Sequence, residues 1–252
     1  MLKLTSYPGV LLFAILLMGH TKSSAPVSVA YAAAANPALA FLPAYSISSP
    51  SSFYEKAADY YHSWNLDEAG LSEAAFTYAL KGYDQLTSEN QVANKDILTI
   101  VDFSKSSTEK RLYVLDLVNG KILYNTLVAH GRNSGNEFAS KFSNLPESHQ
   151  SSLGFYITLN TYYGSNGYSM RLKGCEKGIN DRATARAIVV HGADYVSNNF
   201  INSHGYLGRS YGCPSLPAAV NKEIINLTKN GSCLFLYHPS SQYTTRSKII
   251  NS

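Results

Sequence analysis

The dipeptide Asn119-Gly120, set between two apolar runs, constrains the fold of this chain more than any other short stretch. Asn-Gly accepts the positive φ that a tight hairpin turn needs, so its flanks are expected to pair as antiparallel strands. Those flanks are Arg111-Leu112-Tyr113-Val114-Leu115-Asp116 and Ile122-Leu123-Tyr124-Asn125-Thr126-Leu127-Val128. Residues 97–103 read as a buried strand just upstream, and further strands are expected at 154–160, 170–173, 186–191 and 233–238. Helical spacing occurs in two places. Ser72 is a good N-cap for Ala74, Ala75, Tyr78, Ala79, Tyr83 and Leu86, and Val220, Ile224, Ile225 and Leu227 form a second face that Asn230-Gly231 stops. Residues 53–62 suit a short helix. Many strands with few helices predict a mostly β domain, a sandwich or open barrel with a few flanking helices.

The chain of 252 residues is long enough for one large domain or two small ones. Its N-terminus carries Lys3 and then the apolar run Val10 to Met18, too short to span a bilayer and of the length of a secretory-signal core. Small residues between Ala25 and Ala35 offer cleavage sites. The expectation is a signal peptide over 1–32 and an Ala/Pro/Ser-rich linker over 33–52. A helical segment over 53–90, a catalytic domain over 91–240 and a tail over 241–252 complete the division. An uncleaved anchor is the alternative; after cleavage no stable membrane insertion is expected. The formal charge is +4, and without Lys3 and Lys22 it becomes 19 basic against 17 acidic residues. That balance is too weak to argue for nucleic acid.

Three cysteines, Cys175, Cys213 and Cys233, leave at least one unpaired thiol in an exported chain. Cys233 lies in a strand-like run and Cys175 at a strand end, both suited to structural roles, and a bridge between them stays open. Cys213 differs. It sits in Gly208-Arg209-Ser210-Tyr211-Gly212-Cys213-Pro214, downstream of an apolar strand that closes on His191-Gly192. A thiol on a glycine-flanked turn, with a histidine to take its proton, holds the parts of a nucleophile and its base. The amides of Tyr211, Gly212 and Cys213 are candidates for holding an oxyanion. On residue types and order alone a second reading stands beside this one, with Cys213 a turn residue and His191 a strand-end structural histidine.

The His-Gly strand end followed by Ser-x-Gly-Cys resembles the L,D-transpeptidases that cross-link bacterial peptidoglycan, the YkuD-like catalytic domain. It is most similar to a divergent branch carrying Gly-Arg-Ser-aromatic-Gly-Cys-Pro. Other blocks that resemble that branch include Asp102-Phe103-Ser104, Arg111 to Asp116, Val128-Ala129-His130-Gly131-Arg132-Asn133-Ser134-Gly135, Ser151 to Phe155 and His191 to Tyr195. The resemblance runs from about Leu71 to His238. It implies that Cys213 attacks the diamino-acid carbonyl of a tetrapeptide stem and expels the terminal D-alanine. His191 then serves as base and acid, and a neighbouring stem amine resolves the thioester into a cross-link. Water as acceptor gives a carboxypeptidase or endopeptidase instead, and a silent wall-binding module is the reading from another class. Carbapenem acylation of Cys213 is also implied. Tyr211 stands where the better-known branch has a second histidine, and Pro214-Ser215 replace its arginine.

Among the other candidates, Arg209 suits a substrate carboxylate, with a surface ion pair as its alternative. Ser210 and Gly192 border the two motifs. Ser152 is expected to line the acyl-donor cleft, as the equivalent segment does in the family. His130, in a Gly/Asn/Ser-rich loop, has three open roles: lining the cleft, orienting His191 or capping a turn. A backbone carbonyl, rather than Asp194, is the expected orienter of His191. The tyrosine-rich segment 162–168 suits either a lid or a plain hairpin. Ser203-His204-Gly205-Tyr206 imitates the family motif without its cysteine. The seven histidines show no metal-ligand spacing, and no metal or cofactor is expected.

Overall fold

The computed structural model describes residues 50–252. The expected leader and nearly all of the linker lie outside them. Helix α1 (Pro50–Ser63) and helix α2 (Glu73–Ser88) precede the sheet. Ser72 caps α2, its hydroxyl accepting from the Ala75 N–H at 3.3 Å, a contact worth about 1 kcal/mol. The buried face of α2 includes Phe76, Ala79 and Leu86. Gly82 lies on that same face because a side chain there would collide with the Phe155 ring. The helix gives up about 1 kcal/mol of propensity at that glycine and gains close contact with the core.

Eight strands follow in one sheet: β1 (Ile97–Asp102), β2 (Leu112–Asp116), β3 (Lys121–Thr126), β4 (Gly154–Gly164), β5 (Gly167–Gly174), β6 (Val189–Ala193), β7 (Ser215–Pro217) and β8 (Cys233–Tyr237). Their spatial order is β3-β2-β1-β8-β4-β5-β6-β7. The pairs β1–β8 and β6–β7 are parallel and the rest antiparallel. The two edges do not stay open. Past β3 the chain returns to β7, where Ala129 bridges Ser215. The sheet therefore curls into a nearly closed barrel, which removes free edges. Phe155 and Phe235 stack inside at 4.2 Å.

Asn119-Gly120 does turn the β2–β3 hairpin, through a loop of four residues. The Asp116 carboxylate accepts from the Val118 and Asn119 amides and holds that loop. Segment 162–168 is the tip of the β4–β5 hairpin, with Gly164 opposite Gly167. Helix α3 (Asn198–His204) and strand β7 appear where no element was expected. Helix α4 (Asn221–Thr228) ends at Asn230-Gly231, both with positive φ. The expected tail contains α5 (Ser241–Thr244), and Tyr243, Ile249 and Ile250 join the core. Among the described residues no helix is long and apolar enough to cross a membrane.

Candidate active site

Parallel pairing of β6 with β7 sets His191 opposite Ser215. Cys213 lies two residues ahead of Ser215, so the turn before β7 delivers the thiol beside β6. The Val189 N–H donates to the sulfur at 3.5 Å, and the thiol points toward the Ala187 carbonyl at 3.9 Å. Ala187 holds a left-handed backbone (φ 53) to present that carbonyl, a conformation that costs a non-glycine residue of order 1 kcal/mol. All three cysteines are free thiols; Cys213 is half-buried and Cys233 fully buried.

Three side-chain hydrogen bonds tie the turn, two made by Ser210 and one by Ser151. Ser210 donates its hydroxyl proton to the Cys213 carbonyl (2.6 Å) and accepts from the Gly212 N–H (3.0 Å). The Gly212 amide is therefore occupied in this state, whereas those of Tyr211 and Cys213 have no partner among the described residues. Ser151, fully buried, donates to the Gly212 carbonyl and accepts from the Gly131 N–H. Gly212 has φ 120, and a side chain there would meet the Gln150 carbonyl at 2.7 Å and the Arg186 guanidinium at 3.2 Å. Only glycine fits. Tyr211 projects outward, 64% exposed.

His191 is buried, and both ring nitrogens are engaged. Nδ1 lies 2.9 Å from the Gly192 carbonyl, which makes it the protonated nitrogen and Nε2 the basic one. The orienter is thus a backbone carbonyl. Nε2 accepts from the Ser215 hydroxyl at 3.0 Å, and Tyr195 lies 3.0 Å from that same oxygen. This Tyr195–Ser215–His191 chain was not read from the sequence, because it depends on strand pairing. Burial holds the imidazole below its usual pKa, so it stays neutral at pH 7.

Burial also raises the Cys213 thiol, opposed by the Val189 N–H and by the positive charge of Arg186. Arg186 is a second residue the sequence reading missed. Its guanidinium donates to the carbonyls of Ser143 and Gln150 and to the hydroxyls of Ser148 and Ser152. It clamps the 143–152 loop against the turn and supplies a positive charge that acts on the sulfur. The resting site holds a neutral thiol with the Arg186 charge acting on it, and a neutral imidazole on β6.

His130 sits wholly inside. Its Nδ1 accepts from buried Arg111 at 2.8 Å, and Nε2 faces the Gly135 carbonyl at 3.3 Å. Its backbone carbonyl accepts the Ser210 N–H. Fully buried and bonded to Arg111 and Gly135, His130 has no hydrogen bond to His191 and lines neither the cavity at Ser152 nor the one at Arg209. Its carbonyl ties its loop to the cysteine turn. Burial and the Arg111 charge push its pKa down to about 3. The unfolded chain takes up this proton near pH 6.5, the folded one only near 3. Stability is therefore complete above pH 6.5 and falls toward pH 3, by a few kcal/mol in order of magnitude. Urea midpoints at pH 7 and pH 4 should show a drop that is smaller in His130→Gln than in the parent; equal drops would contradict this account.

Ser152 is buried, bonded to Tyr156 as well as Arg186. It reaches the inner wall of a cleft of about 460 Å³ that Phe142, Asn144, Arg182 and Arg246 also line. Cys213 does not line that cleft. A second groove, of about 260 Å³, borders Tyr211 and includes Arg209, whose guanidinium reaches the Gly135 carbonyl and Asn136. His204, at the exposed end of α3, stacks on Phe200 at 4.0 Å in that groove. The structure therefore places Ser210 and Gly212 in one turn with Cys213, and ties His191, through the Ser215 hydroxyl, to the strand that follows that turn. His130 meets that turn through its carbonyl, which accepts the Ser210 N–H, and Arg209 and Ser152 line two different cavities.

The family model for the L,D-transpeptidase catalytic domain matches residues 67–237. Solved structures with a similar chain course include an L,D-transpeptidase from Mycobacterium smegmatis (15% identity, 57% of this chain and 59% of that one, TM-score 0.35). Another is from Stackebrandtia nassauensis (13%, 67% and 69%, TM-score 0.36). A third is a mutant enzyme from Enterococcus faecium (16%, 56% and 50%, TM-score 0.35). The chain thus spans between half and about two thirds of these proteins. No curated protein matches it significantly. With the domain model extending over well more than half of its length, the chain belongs to the L,D-transpeptidase catalytic-domain family.

Proposed function

We propose that the protein is an exported cysteine acyltransferase that forms 3-3 cross-links between peptidoglycan stem peptides. The observation that carries this reading is the pairing of β6 with β7, which sets a carbonyl-oriented imidazole on β6 opposite the strand that directly follows the half-buried thiol. Family membership supports it. As substrate arrives, the Ser215 hydroxyl turns away from Nε2, and Nε2 takes the Cys213 proton. The sulfur attacks the carbonyl of the stem's diamino acid, and the free amides of Tyr211 and Cys213 hold the oxyanion. Collapse breaks the C–N bond, and His191 returns its proton to the departing D-alanine amine. A stem amine then attacks the thioester, gives its proton to His191, and releases the sulfur, which is reprotonated. Arg209 and Ser152 bind the stem on either side. The leader over 1–32 carries the chain to the periplasm or wall. A carbapenem, whose strained amide presents the same electrophile, acylates Cys213 as well.

Water in place of the amine would make the same residues a carboxypeptidase. Incubation with purified disaccharide-tetrapeptides, followed by separation and mass analysis, tests the reading. A dimer that has lost one alanine is the expected product. A tripeptide monomer would make the protein a hydrolase, and recovery of untouched substrate would favour a silent wall-binding module.

A further inference from the structure

The groove beside Tyr211 is built from Arg132, Arg209, Phe200, His204, Tyr206 and the turn itself, and no acidic residue lines it. Its volume of about 260 Å³ suits one residue of a larger ligand rather than a whole one. Two guanidiniums enter it, each backed by a tyrosine ring. Arg132 lies 5.8 Å from the centre of Tyr211, and Arg209 lies 5.2 Å from that of Tyr206. Ring contact favours a cation at these positions and limits its wandering.

The guanidiniums are rich in unused donors. Arg132 has no side-chain hydrogen bond and no ion pair among the described residues, and Arg209 spends only Nη1, on Gly135 and Asn136. Neither has a carboxylate partner among the described residues. Tyr211, which supports Arg132, stands two residues before Cys213, so the groove and the nucleophile share one turn. A planar fork of donors held near its twin is the geometry that recognises a carboxylate.

We infer that Arg132 and Arg209 form a carboxylate subsite that holds an acid group of the stem while its neighbouring bond is made or broken at Cys213. The inference rests on the stem-peptide reading above. Two carboxylates carry this chemistry: the terminus of the departing D-alanine on the donor, and the acid on the carbon bearing the attacking amine of the acceptor.

The test compares each with its amide. In the donor arm, kcat/KM is measured for a tetrapeptide and for its C-terminal carboxamide. In the acceptor arm, one donor is resolved by D-methionine and by D-methioninamide. At least one arm should favour the carboxylate by about tenfold or more, chiefly through KM, as expected for a charge-assisted contact. Arg132→Gln and Arg209→Gln should bring that ratio close to one, and Arg132→Lys should restore part of it. Thermal melting confirms that each variant is folded. The arm that discriminates identifies the source of the acid. Turnover without discrimination in either arm, or discrimination that survives both glutamine variants, would overturn the subsite alone. No turnover of any donor would instead remove the stem-peptide reading, and the subsite with it.

Discussion

Cys213→Ala is expected to yield a folded protein that releases no terminal alanine from a tetrapeptide. Removal of a hydrolase nucleophile lowers kcat by roughly 10⁶-fold, with any residue of activity coming from binding and the oxyanion site. Here the loss should be complete within detection, because among the described residues the other two thiols, Cys175 and Cys233, lie outside the glycine-flanked turn. Folding should survive. Among the described residues the sulfur makes two long polar contacts, to Val189 and Ala187, packs at the margin of the core, and is not part of a bridge. A melting curve close to the parent's, together with lost turnover, is the predicted pair of results. Turnover near the parent's level would move the chemistry to another residue.

His191→Ala should lower the acylation rate by about 10²–10⁴-fold, the range for a positioned general base. The pH profile separates this role from a merely structural one. Burial depresses the imidazole, so the acid limb of the parent should lie below pH 6.5, where neutral histidine is lost. Without the imidazole that limb should vanish. The residual rate should then climb with pH on the alkaline side, following a thiol whose own pKa burial has raised. A variant that keeps the parent's acid limb would show that another group supplies the base.

Much of this architecture was legible because it is local. Apolar runs announced seven of the eight strands, and Ser72 announced α2, because period and capping are written in neighbouring residues. Strand β7 was not legible. It has three residues, begins with Ser215 and ends with Pro217, and exists only because β6 and the returning Ala129 segment offer it partners. The same limit hid the chemistry around His191. Ser215 and Tyr195 are 24 and 4 residues away in sequence, and only the sheet register makes them a chain. Arg186 looked like the first residue of a strand. In the structure it lies ahead of β6 and grips a loop about 40 residues upstream. Its one sequence signal was a lone cation just before an apolar run that ends in the motif histidine. Ile249-Ile250 in the expected tail was a readable hint that the C-terminus packs inward.

The most direct measurement is the mass of the intact protein after brief exposure to a tetrapeptide stem, followed by peptide mapping of the adduct. The account predicts an added acyl group equal to the stem minus its terminal alanine, carried on the fragment that contains Cys213. An adduct on Cys175, Cys233 or a serine, or turnover with no trapped acyl group on any cysteine, would contradict it.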